Sequence, residues 1–589
     1  MSSGLRVTPG TPAAGQGRST LGPLLRLRIR RDRVQLTIWM AAFFGLALFA
    51  VSAVDASFGT LAEREALIRI AVGSPTILIF RGEPQGADAD AVIFFLLFAF
   101  LATLVAFMSS FLAVRHSRAE EESGRSELIS ATPAGRLVPL LATALHGIAA
   151  ALVAGLAVGL GFLIGGLDPA GTITTGAAIA GTGIAFLGVG LLAGQVMRTS
   201  RGANGLGAAI IALAYILRAF GDAGGTASAD GLSLTSAWPS WLSPIGWGQQ
   251  TDAFTANRPA PLLLDLALAA VLFAVVALLQ SRRDLGSSLV GERPGPERAP
   301  RTLGGSLGLA WRLQRAPMAG WALAGLVFGL LAGTLGETVV ELVESSAQIG
   351  DALARMAGGR ASIIDLYTDT IFGLVGLVAA AAATQAMIRM RQEEAGGSAE
   401  LLLALPLRRD RWMADYLLVG VVAITLVLVV ATGGAAAGLV GSAEAAGTTD
   451  TADRVASAVA SGMAQAPAAL LILAIAALLF AVVPRISTGL SWGVLLAAGF
   501  IGEFGELFGL PDWLLNLSPF THTPVIGAAD VDWSGAWWML GLALVGAVLA
   551  GVGIRRRDLA LCRPRLDHRV STGSSTGSRH ARPPSRCSE

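Results

Sequence analysis

Uninterrupted charge-free stretches constrain what this chain can fold into more than any other feature. No Asp, Glu, Lys or Arg occurs within 34–54, 91–114, 137–167, 169–197, 202–217, 266–281, 316–336, 370–388, 416–443, 455–484, 486–502 or 533–554. A spanning helix needs roughly 20 mostly apolar residues, because hydrocarbon offers no partner to an unpaired backbone group. A charge at mid-bilayer costs on the order of 3 kcal/mol, so these gaps predict an all-α polytopic membrane protein with about twelve transmembrane helices. At 53% hydrophobic and 14% charged residues, the composition excludes an ordinary soluble domain. The two shortest gaps, ending near Arg218 and beginning near Asp265, reach the interface if those side chains snorkel outward.

Arginine sets the expected orientation. Basic clusters stand before the first span (Arg26, Arg28, Arg30, Arg31, Arg33), after the second (Arg115, Arg118, Arg125, Arg136) and after the fourth (Arg198, Arg201). They continue through Arg282 and Arg283, then Arg389, Arg391, Arg408, Arg409 and Arg411, then Arg485, and Arg555 to Arg557. Alternate loops carry acids such as Asp88, Asp90, Glu337, Glu341, Glu344 and Glu503. The positive-inside rule then places both termini in the cytoplasm of a multi-pass plasma (inner) membrane protein. Residues 1–20 are polar, with no apolar signal core.

The chain reads as two tandem parallel six-helix repeats. Arg33 and Trp39 recur as Arg315 and Trp321, and residues 118–136 align without gaps to 391–409. Trp241-Leu-Ser-Pro244 recurs as Leu517-Ser-Pro519. The expected organisation is a disordered cytoplasmic N-terminus (1–20), a first repeat (21–284), a Pro/Gly/Arg linker (285–305), a second repeat (306–557) and a disordered tail (558–589).

The duplicated cytoplasmic segment is the candidate functional site. Its shared positions are Glu120, Glu121, Gly124, Glu127, Pro133 and Arg136 in the first copy, and Glu393, Glu394, Gly397, Glu400, Pro406 and Arg409 in the second. On one continuous helix, Glu120 and Glu127 share a face, as do Glu393 and Glu400. That acidic face suits docking to a soluble partner; the alternative is a solvated juxtamembrane helix with weak Glu–Arg pairs.

These residues resemble the permeases of ABC-2-type exporters, in particular the fused two-repeat actinobacterial kind that exports polyketide antibiotics. The resemblance covers about residues 24–557 and rests on the six-span unit, the Glu-Glu...Gly...Glu-Leu...Pro...Arg segment and the Leu-Ser-Pro turn. It implies that each duplicated segment is a coupling helix for one cytoplasmic ABC ATPase, two copies in all, with Glu120, Glu121, Glu393 and Glu394 as contacts. It also implies interfacial elbow helices before each half, although Leu25-Arg-Leu-Arg-Ile-Arg30 alternates with period two. The implied cargo is a hydrophobic or amphipathic drug-like molecule.

All 43 basic residues are arginine. A phosphate-binding loop needs its lysine, so no ATPase site is expected here, and ATP and Mg belong to the partner. No HExxH or CxxC occurs, and the five histidines are scattered, so no catalytic residue, cofactor or metal site is expected. His146, Tyr215 and Gln385 are candidates for a substrate path, with interhelical hydrogen bonding as the alternative. Two rival functions stand beside the exporter: a proton-coupled secondary efflux transporter, which needs ionisable groups in its spans, and a membrane-embedded transferase.

Overall fold

The computed structural model describes residues 17–558 apart from 133, 285, 292–296, 299, 335–362, 447–450, 505–509 and 527–530. Pro133, the acidic residues Glu337, Glu341 and Glu344, most of the N-terminal stretch, the tail beyond 558 and the centre of the linker lie outside these residues. The chain divides into two compact units, Met1–Gly295 and Pro296–Glu589.

In the first unit the helices run α1 (Gly17–Ser57), α2 (Leu61–Gly73), α3 (Pro75–Arg81), α4 (Ala89–Arg115), α5 (Arg118–Glu122), α6 (Arg125–Ser130), α7 (Val138–Ile164), α8 (Pro169–Val196) and α9 (Ser200–Ala223). A two-stranded antiparallel ribbon, β1 (Thr226–Ala227) and β2 (Leu234–Thr235), precedes α10 (Pro244–Gln249) and α11 (Leu262–Arg282). The central helix is α8, buried along most of its length against α4, α7 and α11. Its glycines permit that: Cβ atoms at Gly176 and Gly190 would run into the Gly155 and Ser110 carbonyls, the close approach that small residues allow between membrane helices.

The second unit contains α12 (Ser306–Thr334), α13 (Ile363–Ala395), α14 (Ser398–Leu403), α15 (Arg409–Ala446), α16 (Thr451–Met463), α17 (Ala466–Val482), α18 (Ser487–Phe504), α19 (Asp512–Leu515) and α20 (Ser534–Arg556). Here α12 packs on α15 through Gly325, Gly329 and Gly333, which face backbone at Val427, Ala431 and Ala435. Trp412, Tyr416 and Phe480 are buried together in the core of this unit, with Trp412 edge-on to both other rings.

Among the described residues, eleven helices are long and apolar enough to cross a membrane, against the expected twelve. The shortfall is 486–502, which forms α18: its 18 residues begin with a polar turn and end beside Glu503. The period-two alternation at 25–30 is also overridden. That stretch is helical within α1, and its buried positions are Arg28 and Asp32, one turn apart. Both Ser-Pro turns are caps: Ser243 Oγ accepts from Gly246 N at the start of α10, and Ser518 Oγ accepts from Phe520 N at the start of a 3-10 turn.

Candidate functional site

The duplicated segment is not one helix in either unit. Gly124 (φ 71°) and Gly397 (φ 76°) adopt the left-handed conformation, which L side chains disfavour. They stand at matching positions as the N-caps of α6 and α14. The expected shared face of Glu120 with Glu127, and of Glu393 with Glu400, is therefore corrected: a turn separates the members of each pair.

The acids before that turn face inward. Glu121 pairs with Arg118 (2.8 Å) and with Arg283 (2.5 Å), the residue that closes α11. Glu394 pairs with Arg391 (3.6 Å) and with Arg557, the residue that closes α20. Arg136 donates to Ser281 O (3.2 Å), and Arg409 donates to Arg557 O (2.6 Å). Each unit thus ties its duplicated segment to the end of its last long helix by the same arginine–glutamate–arginine set. Arg283 and Arg557 were visible in the sequence only as members of basic clusters; the run of two or three arginines closing each half, each ending on this residue, was the signal.

Glu120 is likewise held by Arg28 (3.5 Å), Arg31 (3.2 Å) and His116 Nδ1 (3.3 Å). Glu393 lies 4.0 Å from Arg389. Glu122, which has Ala395 opposite it in the second copy, accepts from Ser200 N (2.9 Å) and Ser200 Oγ (2.6 Å) and caps α9. Direct outward contact by Glu120, Glu121, Glu393 or Glu394 is therefore not what this geometry offers. After the turn the picture reverses: Glu127, Leu128, Glu400, Leu401 and Pro406 are exposed, with Leu128 at 73% and Leu401 at 78%. A large apolar side chain left out at the same position of both copies is the feature sequence reading missed. In the first unit a cavity of about 300 Å³ lies behind this helix pair, lined by His116, Glu120, Ile129, Arg136, Leu140 and Gln195 among others.

The three candidate path residues are each fixed to a neighbour. Tyr215 Oη donates to Phe80 O (2.8 Å), Gln385 Oε1 accepts from Trp321 Nε1, and His146 Nε2 lies 3.0 Å from Asp32 Oδ2. Nor do Arg218 and Asp265 snorkel; both are fully buried. Arg218 donates to Asp222 (3.1 Å) and Ile79 O (3.0 Å) and lies over the Tyr215 ring. Asp265 has no hydrogen-bond partner among the described residues for either carboxyl oxygen.

Beside Arg218, the loop residue Glu83 accepts from Gln250 Nε2 (2.8 Å) and meets Ser236 Oγ, which also lies 2.6 Å from Asp222 Oδ1. Burial, reinforced by the neighbouring Asp222 and Asp252 carboxylates against the Ser236 hydrogen bonds, pushes Glu83 up to about 7.

A family described as "Multidrug efflux system permease Rv1217c, C-terminal domain" matches residues 303–555. The multidrug efflux system permease protein Rv1217c of Mycobacterium tuberculosis (strain ATCC 25618 / H37Rv) is 34% identical over 555 residues, covering 93% of this chain and 97% of that protein.

Proposed function

The chain belongs to the family of multidrug efflux system permeases, and from that premise we propose that it is the membrane-spanning subunit of an ATP-driven ABC-2-type exporter. Two copies of a cytoplasmic ABC ATPase dock on it, one per duplicated segment, and ATP and Mg reside on those partners. The cargo is a hydrophobic or amphipathic drug-like molecule carried outward across the plasma membrane. Both termini are cytoplasmic, which puts the two Gly-turn helix pairs on the ATPase side.

One observation carries this reading: Leu128 and Leu401, matched in sequence, are exposed on the helices that follow the Gly turns, directly after the segment that the same ion-pair set anchors in both units. An apolar knob fits a groove on a soluble partner, whereas the flanking Glu127 and Glu400 contribute steering and register. Glu121 and Glu394 act one step back, by fixing the angle of α6 and α14. The missing lysine agrees with hydrolysis on another chain.

Affinity purification of the chain from native membranes tests this. A Walker-motif ATPase is expected at two copies per chain, lost in Leu128→Asp/Leu401→Asp while the variant's thermal unfolding stays unchanged. If no ATPase co-purifies under several mild detergents, the partner reading fails. The proton-coupled alternative then gains, since the buried Asp265 and the Asp32–His146 contact supply the intramembrane ionisable groups it requires.

A further inference from the structure

Two of the five histidines, scattered in sequence, meet in space. His116 closes α4, His146 lies on α7, and Asp32 lies on α1. Both ring Nε2 atoms converge on one oxygen, Asp32 Oδ2, at 2.5 Å from His116 and 3.0 Å from His146. The rings stand nearly perpendicular (82°) with centroids 5.5 Å apart, and one donor atom from each of the three residues lies within 4.8 Å of the others. All three side chains are buried. The expectation that the histidines are too dispersed to form a ligand set is therefore corrected.

The fold does not need this cluster. The register that pairs Arg33 with Arg315 puts Gln314 opposite Asp32. The alignment of 118–136 with 391–409, extended at either end, puts Arg389 opposite His116 and Val419 opposite His146. In the second unit Gln314 simply donates to Ala386 O (3.2 Å). Buried together, two imidazoles and a carboxylate need one another as partners, and among the described residues only the first unit gathers such a set.

We propose that Asp32, His116 and His146 bind one divalent transition-metal ion of the zinc class. Two imidazoles and a carboxylate are a borderline-soft donor set suited to such an ion, and three protein ligands leave a fourth position for water. The outer shell is in place: His116 Nδ1 faces Glu120 Oε1 (3.3 Å), an arrangement that turns the Nε2 lone pair toward the ion and raises its basicity. The nearby guanidinium groups are engaged elsewhere. Arg28 and Arg31 pair with Glu120, and Arg115 pairs with the other Asp32 oxygen, Oδ1 (3.3 Å). His116 and its partner Glu120 line the neighbouring cavity, which puts one member of the cluster at its wall. A bound ion would join α1, α4 and α7 directly behind the helix pair that carries Leu128.

The test uses the full chain in nanodiscs, stripped with chelator and titrated with Co²⁺ as a spectroscopic stand-in for Zn²⁺. Cys562, His568, His580 and Cys587 also carry donor atoms, so every arm has these four replaced by Ser or Asn. Expected is one Co²⁺ per chain with visible ligand-field absorption, an affinity at least about 10-fold weaker in His146→Gln and in Asp32→Asn, and about 10- to 100-fold weaker in Glu120→Gln. A parent protein that takes up no more Co²⁺ than a folded His146→Gln or Asp32→Asn chain, or whose spectrum is the same in those variants, overturns the site and leaves the cluster as a hydrogen-bonded network.

Discussion

Arg218 shows how much one buried side chain holds in the first unit, since its guanidinium serves Asp222 and the backbone of the α3 turn at once. Removing one partner of a buried pair typically costs about 3–5 kcal/mol, so Arg218→Met should lower the unfolding midpoint sharply. Arg218→Met/Asp222→Asn should lose less than the sum of the two single variants, as a double-mutant cycle in detergent would measure. Glu83 makes a second prediction at this scale. Burial raises its pKa in the folded chain to about 7 from an ordinary 4.5, so the folded chain retains a proton that the unfolded chain has released between those values. Stability from this group is full below pH about 4.5 and falls as pH rises through about 7. Thermal unfolding should therefore occur at a higher temperature at pH about 5.5 than at pH about 8, with a smaller difference in Glu83→Gln. Neither site was legible beforehand. Charge-free gaps locate spans, and the Arg218–Asp222 pair is local, one turn apart on α9, but its burial against the α3 backbone and the arrival of Glu83 at Ser236 come from residues more than 130 positions away.

At the scale of elements, the long helices were the most legible part, because a charge-free run has few outcomes in hydrocarbon. The duplicated segment was legible as a repeat, yet its geometry was misread, since Gly124 and Gly397 are as compatible with a helix interior as with a left-handed turn until the backbone is seen. The two possibilities separate cleanly by substitution. Nothing lies within 4 Å of a Cβ added at Gly124, Gly397 or Gly205. Only the first two have positive φ, while Gly205 is inside α9. Gly124→Ala and Gly397→Ala should each cost roughly 1–2 kcal/mol from backbone conformation alone, whereas Gly205→Ala should be neutral or stabilise by up to about 1 kcal/mol. A contrasting case is Gly329, whose Cβ would strike the Ala431 carbonyl. There Gly329→Ala should destabilise by about 1–3 kcal/mol through overpacking of α12 on α15.

Across the whole molecule, the two units share a scaffold while differing in buried chemistry. Both close their last long helix with an arginine that grips a glutamate of the duplicated segment. Among the described residues only the first unit adds the Asp32–His116–His146 cluster, while the second packs Trp412, Tyr416 and Phe480 against one another in its core. Leu128 and Leu401, left bare on both units, bear on the life of the chain before assembly. Under the function proposed above, a newly made copy without the ATPase displays two sticky leucines of the kind cellular proteases and chaperones survey, and synthesis of the two gene products would have to be kept in proportion. Expressed alone, the chain should turn over faster in a pulse-chase than its Leu128→Ser/Leu401→Ser variant, and co-expressing the proposed ATPase should abolish that difference by lengthening the life of the unaltered chain only.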